Sequence, residues 1–255
     1  MAVTTDPPEG LALPPPDPPR WPKVVGGLLA LVVIGALIAV WALAPRRVLP
    51  EERLAPEVLT RVQRATVGVE ARDAGTQGSG YVAAQDLIVT NAHVIAGGRD
   101  LWITFDSGTS SARTLKGTFV REGRPGEPDD LALIRVPTGQ APVLPLADLA
   151  QVPIGSILVS FGYPLGWDLS LDARGPEISV HGGRLTALRR LDGRVGWVES
   201  DLLVEIGNSG GPVVDETGAV VGLVTVIAGP NLRTALCASA DQIRHFAPEL
   251  SISQP

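Results

Sequence analysis

A single cysteine, Cys237, stands among 255 residues, so no disulfide can form within the chain. It lies in the apolar stretch Thr234-Ala-Leu-Cys-Ala and reads as a small buried hydrophobe rather than a reactive thiol. There are three histidines, and no Cys/His cluster has metal-ligand spacing, so neither a metal nor a cofactor is expected. Lys/Arg runs are missing too. With a net charge of −6 and both signs interspersed, the chain has no patch suited to nucleic acid. Aromatics make up only 4 %. What is abundant is Val, Leu, Ala, 29 Gly and 23 Pro, with 45 % apolar residues. That mixture supports a sizeable core built from short strands and tight turns.

Residues 1–23 form a tail in which eight prolines precede Lys23, as in LPPPDPPRWP; such a segment can form neither helix nor core. The run VVGGLLALVVIGALIAVWALA, Val24 to Ala44, has 21 residues and no charge. As a helix it would span roughly 30 Å, one bilayer core. Trp21 and Trp41 sit near its ends, where amphipathic rings favour the interface. The sequence therefore predicts a single transmembrane helix over 24–44. The competing reading is a cleaved signal peptide at Ala42-Leu43-Ala44, but the apolar run is long for that role. Arg20 and Lys23 before the run and Arg46, Arg47 and Arg53 after it leave the charge rule slightly in favour of a cytoplasmic C-terminal part.

A linker over 45–56 leads to a predicted domain over 57–250, with a short helix from Ala55 to Arg64 at its start. Strands are expected around 66–71, 79–84, 87–91, 101–105, 112–121, 131–136, 156–161, 177–189, 195–200, 212–215, 219–226 and 233–237. Gly97-Gly98, Ser107-Gly108, Asp192-Gly193 and Thr217-Gly218 supply turns between them. Ser239 reads as the N-cap of a closing helix that ends before Pro248. A dozen short strands predict a closed or nearly closed all-β architecture.

The stretch EIGNSGGPVVD holds a serine, Ser209, between glycines. A serine hydroxyl attacks only when a base takes its proton and donors hold the oxyanion that forms. Flanking glycines permit a tight turn whose N–H groups, those of Gly207 and Ser209, converge on one point and leave room for a substrate carbonyl. The candidate base is His93, at the end of an apolar strand in DLIVTNAHVIAGG; His181 and His245 read as surface residues. Asp130 in PDDLALIRVP leads into an apolar strand, where a carboxylate is costly unless paired, so it is the candidate partner of His93. Asp129 competes but has solvated-loop neighbours.

TNAHVI, DDLALIRV and GNSGGPVV, in the order His, Asp, Ser, resemble the trypsin-like serine endopeptidases, and more closely their HtrA branch. GSGYV, FGYPLG, GGRLTALRR and SDLLVEIGNSGG extend the resemblance over about residues 57–247, and place Asp201 on the family's acidic position. The resemblance implies a chymotrypsin-like fold of two six-stranded β-barrels with the site between them. It implies catalysis by His93, Asp130 and Ser209 and an oxyanion hole at Gly207, Asn208 and Ser209. It also implies a substrate-binding pocket near Leu203, Thr225, Val226 and Ile227, whose apolar character favours a small or medium aliphatic P1 residue. Protein or peptide substrates, a homo-oligomer and an extracytoplasmic protease domain are further implications.

Three departures matter. HtrA proteases usually carry a PDZ domain after the protease, and a protease without one is the expectation for this chain. Lys23-Val-Val-Gly-Gly mimics a zymogen activation site, but Asn208 stands where the acid of that switch would be. Leu202-Leu203 replaces smaller residues and predicts a shallow pocket. An α/β-hydrolase reading of Gly-x-Ser-x-Gly fails because Gly-Gly-Pro-Val-Val is a poor helix start. A non-catalytic membrane tether and a latent protease remain the alternatives at this point.

Overall fold

A computed structural model describes residues 33–34, 53–164, 175–227 and 234–251. The chain divides into two units, Met1–Arg47 and Val48–Pro255. In the first, Val33 and Ile34 are helical and exposed; the rest of the expected transmembrane segment 24–44 lies outside the described residues. Among the described residues no helix is long and apolar enough to cross a membrane.

The second unit holds twelve strands in two closed antiparallel barrels. β1 (Thr66–Ala71), β2 (Thr76–Ala84), β3 (Leu87–Thr90), β4 (Leu101–Phe105), β5 (Arg113–Glu122) and β6 (Ala132–Arg135) close in the order β1-β2-β3-β6-β5-β4. β7 (Ile157–Gly162), β8 (Ser179–Leu191), β9 (Arg194–Ser200), β10 (Pro212–Val214), β11 (Val220–Ile227) and β12 (Ala235–Ser239) close as β10-β11-β12-β9-β8-β7. Closure leaves no edge open among the described strands to pair with another chain.

The sequence pattern of each strand follows from what its two faces touch. In β3, Ile88 packs into the first barrel while Leu87 and Val89 join the core shared with the second. In β6, Ile134 points inward and Leu133 outward to that same shared core. Strands buried on both faces carry unbroken apolar runs, as in LIV and ALI. β5 has one wet face, and its sequence RTLKGTFVRE mixes charge with apolar residues. Each fully buried aliphatic side chain contributes about 1.5–3 kcal/mol, so the shared core also fixes how the barrels meet.

Helices at both ends of the unit tie the barrels together. Pro56–Ala65 has Pro at its start, Glu57 in the first turn and Arg64 in the last, each suited to the helix dipole. It leads into β1, yet Val62 packs into the shared core and Arg61 donates to the Thr217 carbonyl in the β10–β11 turn. In Ala240–Phe246, the Ser239 hydroxyl accepts from the Gln242 N–H at 3.1 Å. Beyond it, Glu249 receives two hydrogen bonds from Arg121 of β5, at 2.9 and 2.8 Å.

Candidate active site

β3 ends at Thr90, and the chain turns at once into the one-turn helix Ala92–Ile95. Asn91 caps it in extended conformation and Ala96 ends it in the left-handed region, so His93 is delivered on a short, fixed element. Its side chain is about one-third exposed, while the Asp130 carboxylate is fully buried. Three donors converge on that carboxylate. The His93 N–H lies 3.0 Å from Oδ1; the His93 ring Nδ1 and the Gly126 N–H lie 2.7 and 2.8 Å from Oδ2. Burial pushes the Asp130 carboxyl up, but hydrogen bonds from the His93 ring, Gly126 and the His93 backbone outweigh it and hold the group below its ordinary range. An ionised carboxylate only accepts, so Nδ1 carries a proton, and in the neutral ring Nε2 is the acceptor. Asp129, the competitor, instead pairs with exposed Arg124 at 3.2 Å.

The serine sits where both barrels press together. Glu205 to Asn208 form a turn closed by the Asn208 N–H donating to the Glu205 carbonyl at 3.0 Å, with Gly207 at φ +99°. A positive φ at the third position with an ordinary negative one at Ile206 marks a type II turn, which favours glycine at the third place. Asn208 is therefore a correction to the expected oxyanion set: its N–H is consumed inside the turn. The N–H groups of Gly207 and Ser209 have no acceptor among the described residues. The other two glycines answer to packing. A Cβ on Gly210 would lie 2.0 Å from the Ser79 carbonyl, and one on Gly211 2.1 Å from that of Phe161. The sequence assigned this space to the substrate; the structure fills it with the backbones of β2 and β7.

His93 and Ser209 line one cavity of about 470 Å³, together with Gly126, Val204, Glu205, Ile206, Val224 and Thr225. Among the described residues no hydrogen bond joins the Ser209 hydroxyl to the His93 ring; such contacts are often loose before substrate binds. The pocket differs from expectation. Leu203 is exposed and its neighbour Val204 lines the wall, because residues 201–205 form no strand whose alternation could be read. The Thr225 hydroxyl is occupied, donating to the Leu223 carbonyl at 2.8 Å and accepting from the Ala238 N–H at 3.2 Å. The backbone of Val226 and Ile227 continues β11, and their side chains lie outside the described set. Glu205 lines the cavity although the pocket was expected to be apolar; it is exposed.

Asn91 was missed. Its buried Nδ2 donates to the Asp130 carbonyl at 2.5 Å and to Thr225 Oγ1 at 3.1 Å, linking the His–Asp half in one barrel to β11 in the other. The sequence shows only an asparagine two residues before His93, and its burial and partners come from the fold. Elsewhere, His181 offers its backbone carbonyl to Ser160 at 3.3 Å, and His245 is exposed on the closing helix. Asp201 accepts from the Arg184 N–H at 2.6 Å, bracing the approach to the serine turn. Cys237 is fully buried, and burial pushes its thiol up to about 12, as a core hydrophobe requires.

Residues 78–223 match the model of the trypsin-like peptidase domain. The chain is 30 % identical over 201 residues to serine protease HTRA1A of Danio rerio, covering 78 % of this chain and 40 % of that protein. It is 33 % identical over 161 residues to the putative serine protease HhoA of Synechocystis sp., covering 62 % of this chain and 38 % of that protein. It thus spans about two fifths of the length of these curated relatives. Two solved structures show the same fold. The serine endoprotease of Yersinia pestis aligns with TM-score 0.61 at 23 % identity, over 76 % of this chain and 65 % of that one. The inactive form of Rv3671c from M. tuberculosis H37Rv aligns with TM-score 0.62 at 22 % identity, over 83 % and 98 %. With the match spanning more than half of its length and enclosing His93, Asp130 and Ser209, this chain belongs to the trypsin-like peptidase family, with HtrA proteases among its relatives.

Proposed function

We propose that the chain is a serine endopeptidase of HtrA type acting on protein or peptide substrates. Ser209 attacks the scissile carbonyl. His93 takes its proton through Nε2 and returns it to the leaving amine, and Asp130 fixes the ring tautomer and favours the imidazolium. The N–H groups of Gly207 and Ser209 hold the oxyanion. The observation that carries this reading is the buried Asp130 carboxylate bonded at 2.7 Å to an imidazole that shares a cavity with Ser209. Val204, Ile206 and Val224 give that cavity apolar walls and support an aliphatic P1 residue. A fluorophosphonate should label Ser209 in the full chain, and His93→Ala should abolish the labelling. Absence of labelling between about pH 6 and 9, or cleavage confined to Lys and Arg sites, would count against the reading.

The uncharged run 24–44 supports a single-pass anchor, and the HtrA resemblance, against the slight charge bias of the flanks, supports a protease domain outside the cytoplasm and so a role in quality control or regulated proteolysis at the cell membrane. The full chain should remain in the membrane pellet after alkaline carbonate extraction. Release into the supernatant would remove the anchor from the proposal.

A further inference from the structure

We infer that Ser79 is a positioning residue: reaching across from the first barrel, its hydroxyl holds the Gly207 carbonyl and thereby keeps the oxyanion loop in its working shape. This rests on the peptidase reading above. Ser79 lies in β2, opposite Gly68 of β1, and is fully buried. Nothing about a strand requires a serine there, and a buried hydroxyl is costly without partners. Its partners come from the second barrel. The hydroxyl donates to the Gly207 carbonyl at 2.8 Å and accepts from the Tyr163 N–H at 2.9 Å. The Tyr163 contact occupies an acceptor site, and the single proton of the hydroxyl goes to Gly207. The Ser79 N–H donates to the Ser209 carbonyl at 2.8 Å, and Thr90 Oγ1 donates to the Ser79 carbonyl at 2.6 Å.

The consequence is mechanical. The Gly207–Asn208 peptide is held at both ends, its carbonyl by Ser79 and its N–H by the Glu205 carbonyl at 3.0 Å. The peptide that begins with the Ser209 carbonyl is held by the Ser79 N–H. The Ser209 N–H belongs to the peptide between these two fixed planes. Type I and type II turns differ by a flip of the middle peptide, here the one that carries the Gly207 N–H. Fixing the plane next to it disfavours that flip. Without the Ser79 hydroxyl, the Gly207 carbonyl loses a buried partner and the loop gains a second arrangement in which one oxyanion donor turns away.

Turnover of a peptide with an aliphatic P1 residue tests this in the full chain. Ser79→Ala should lower kcat by roughly 10–100-fold, part of the cost of losing one oxyanion donor, while KM stays within about threefold. Ser79→Cys, with a weaker donor, should fall between. Val67→Ala opens a cavity in the core of the same barrel without touching the loop and serves as the stability control. Hydrogen exchange at the Asn208 amide should accelerate in Ser79→Ala and not in Val67→Ala. Equal kcat in wild type and Ser79→Ala, or a loss that Val67→Ala reproduces, overturns the clamp. A wild-type chain with no turnover overturns the peptidase reading instead. Exchange then decides the clamp by itself: acceleration confined to Ser79→Ala upholds it, and unchanged protection of Asn208 overturns it.

Discussion

Asp130→Asn is expected to lower kcat by roughly 10⁴-fold while leaving the fold intact. The carboxylate receives three donors on two oxygens. An asparagine offers one acceptor oxygen and one NH₂ group, so one side must face a donor with a donor. If the NH₂ faces the ring, Nδ1 becomes the acceptor and the proton moves to Nε2. That atom then has no lone pair with which to take the Ser209 proton. If the amide turns the other way, its NH₂ meets the His93 backbone N–H and the short helix Ala92–Ile95 is disturbed. Stopped-flow or steady-state kinetics with circular dichroism checks this. A decrease below about tenfold, with unchanged dichroism, would remove Asp130 from the orienting role.

The same geometry sets a pH dependence of stability. The folded-state pKa of Asp130 is depressed, so its stabilisation is present above the ordinary aspartate value of 3.8 and is lost as pH falls through the lower folded-state value. In urea melts the wild-type chain should therefore lose more stability than Asp130→Asn on going from neutral pH to below that value.

Gly210→Ala should be severely damaging, costing on the order of 4 kcal/mol or preventing the barrels from docking. The residue has φ +85°, and a Cβ would stand 2.0 Å from the Ser79 carbonyl and 2.4 Å from Thr90 Oγ1. Neither atom is the free end of a flexible side chain: one is backbone and the other is hydrogen-bonded to it at 2.6 Å. Gly193→Ala separates strain from collision. Gly193 has φ +79° at the tip of the β8–β9 hairpin with nothing within 4 Å of the added carbon, so it should cost only about 1 kcal/mol, the backbone effect alone. Denaturant midpoints of the two variants provide the comparison. Similar costs would mean that the β2 backbone yields, and that the close approach of the barrels at the serine is not rigid.

Local rules account for much of what the sequence revealed. The strands of each barrel begin and end within a few residues of their expected positions because Gly, Asp-Gly and Ser-Gly turns fix where a chain reverses. β2 starts earlier than expected, at Thr76, because Gln77 and Gly78 break the apolar pattern without breaking the pairing with β1. The closing helix follows its Ser239 cap. The wall of the cavity was misread at Leu203, since alternation carries no information where the chain leaves the sheet. Asn91 and Ser79 were invisible as functional residues, because a short polar side chain in a strand or at its end has no meaning until its partner is known.

The candidate grouping of Ser209, His93 and Asp130 was legible in the sequence because a nucleophile, a base and an acid each need a particular residue type, and each stands in a short local setting that permits it. Which backbone fills the space beside Gly210 and Gly211, and which hydroxyl holds the Gly207 carbonyl, were decided only by the fold. The contacts of Gly207 and Gly210 with Ser79 join residues more than a hundred positions apart, and only the packing of one closed barrel against the other makes them, whereas Gly211 meets Phe161 within the second barrel itself.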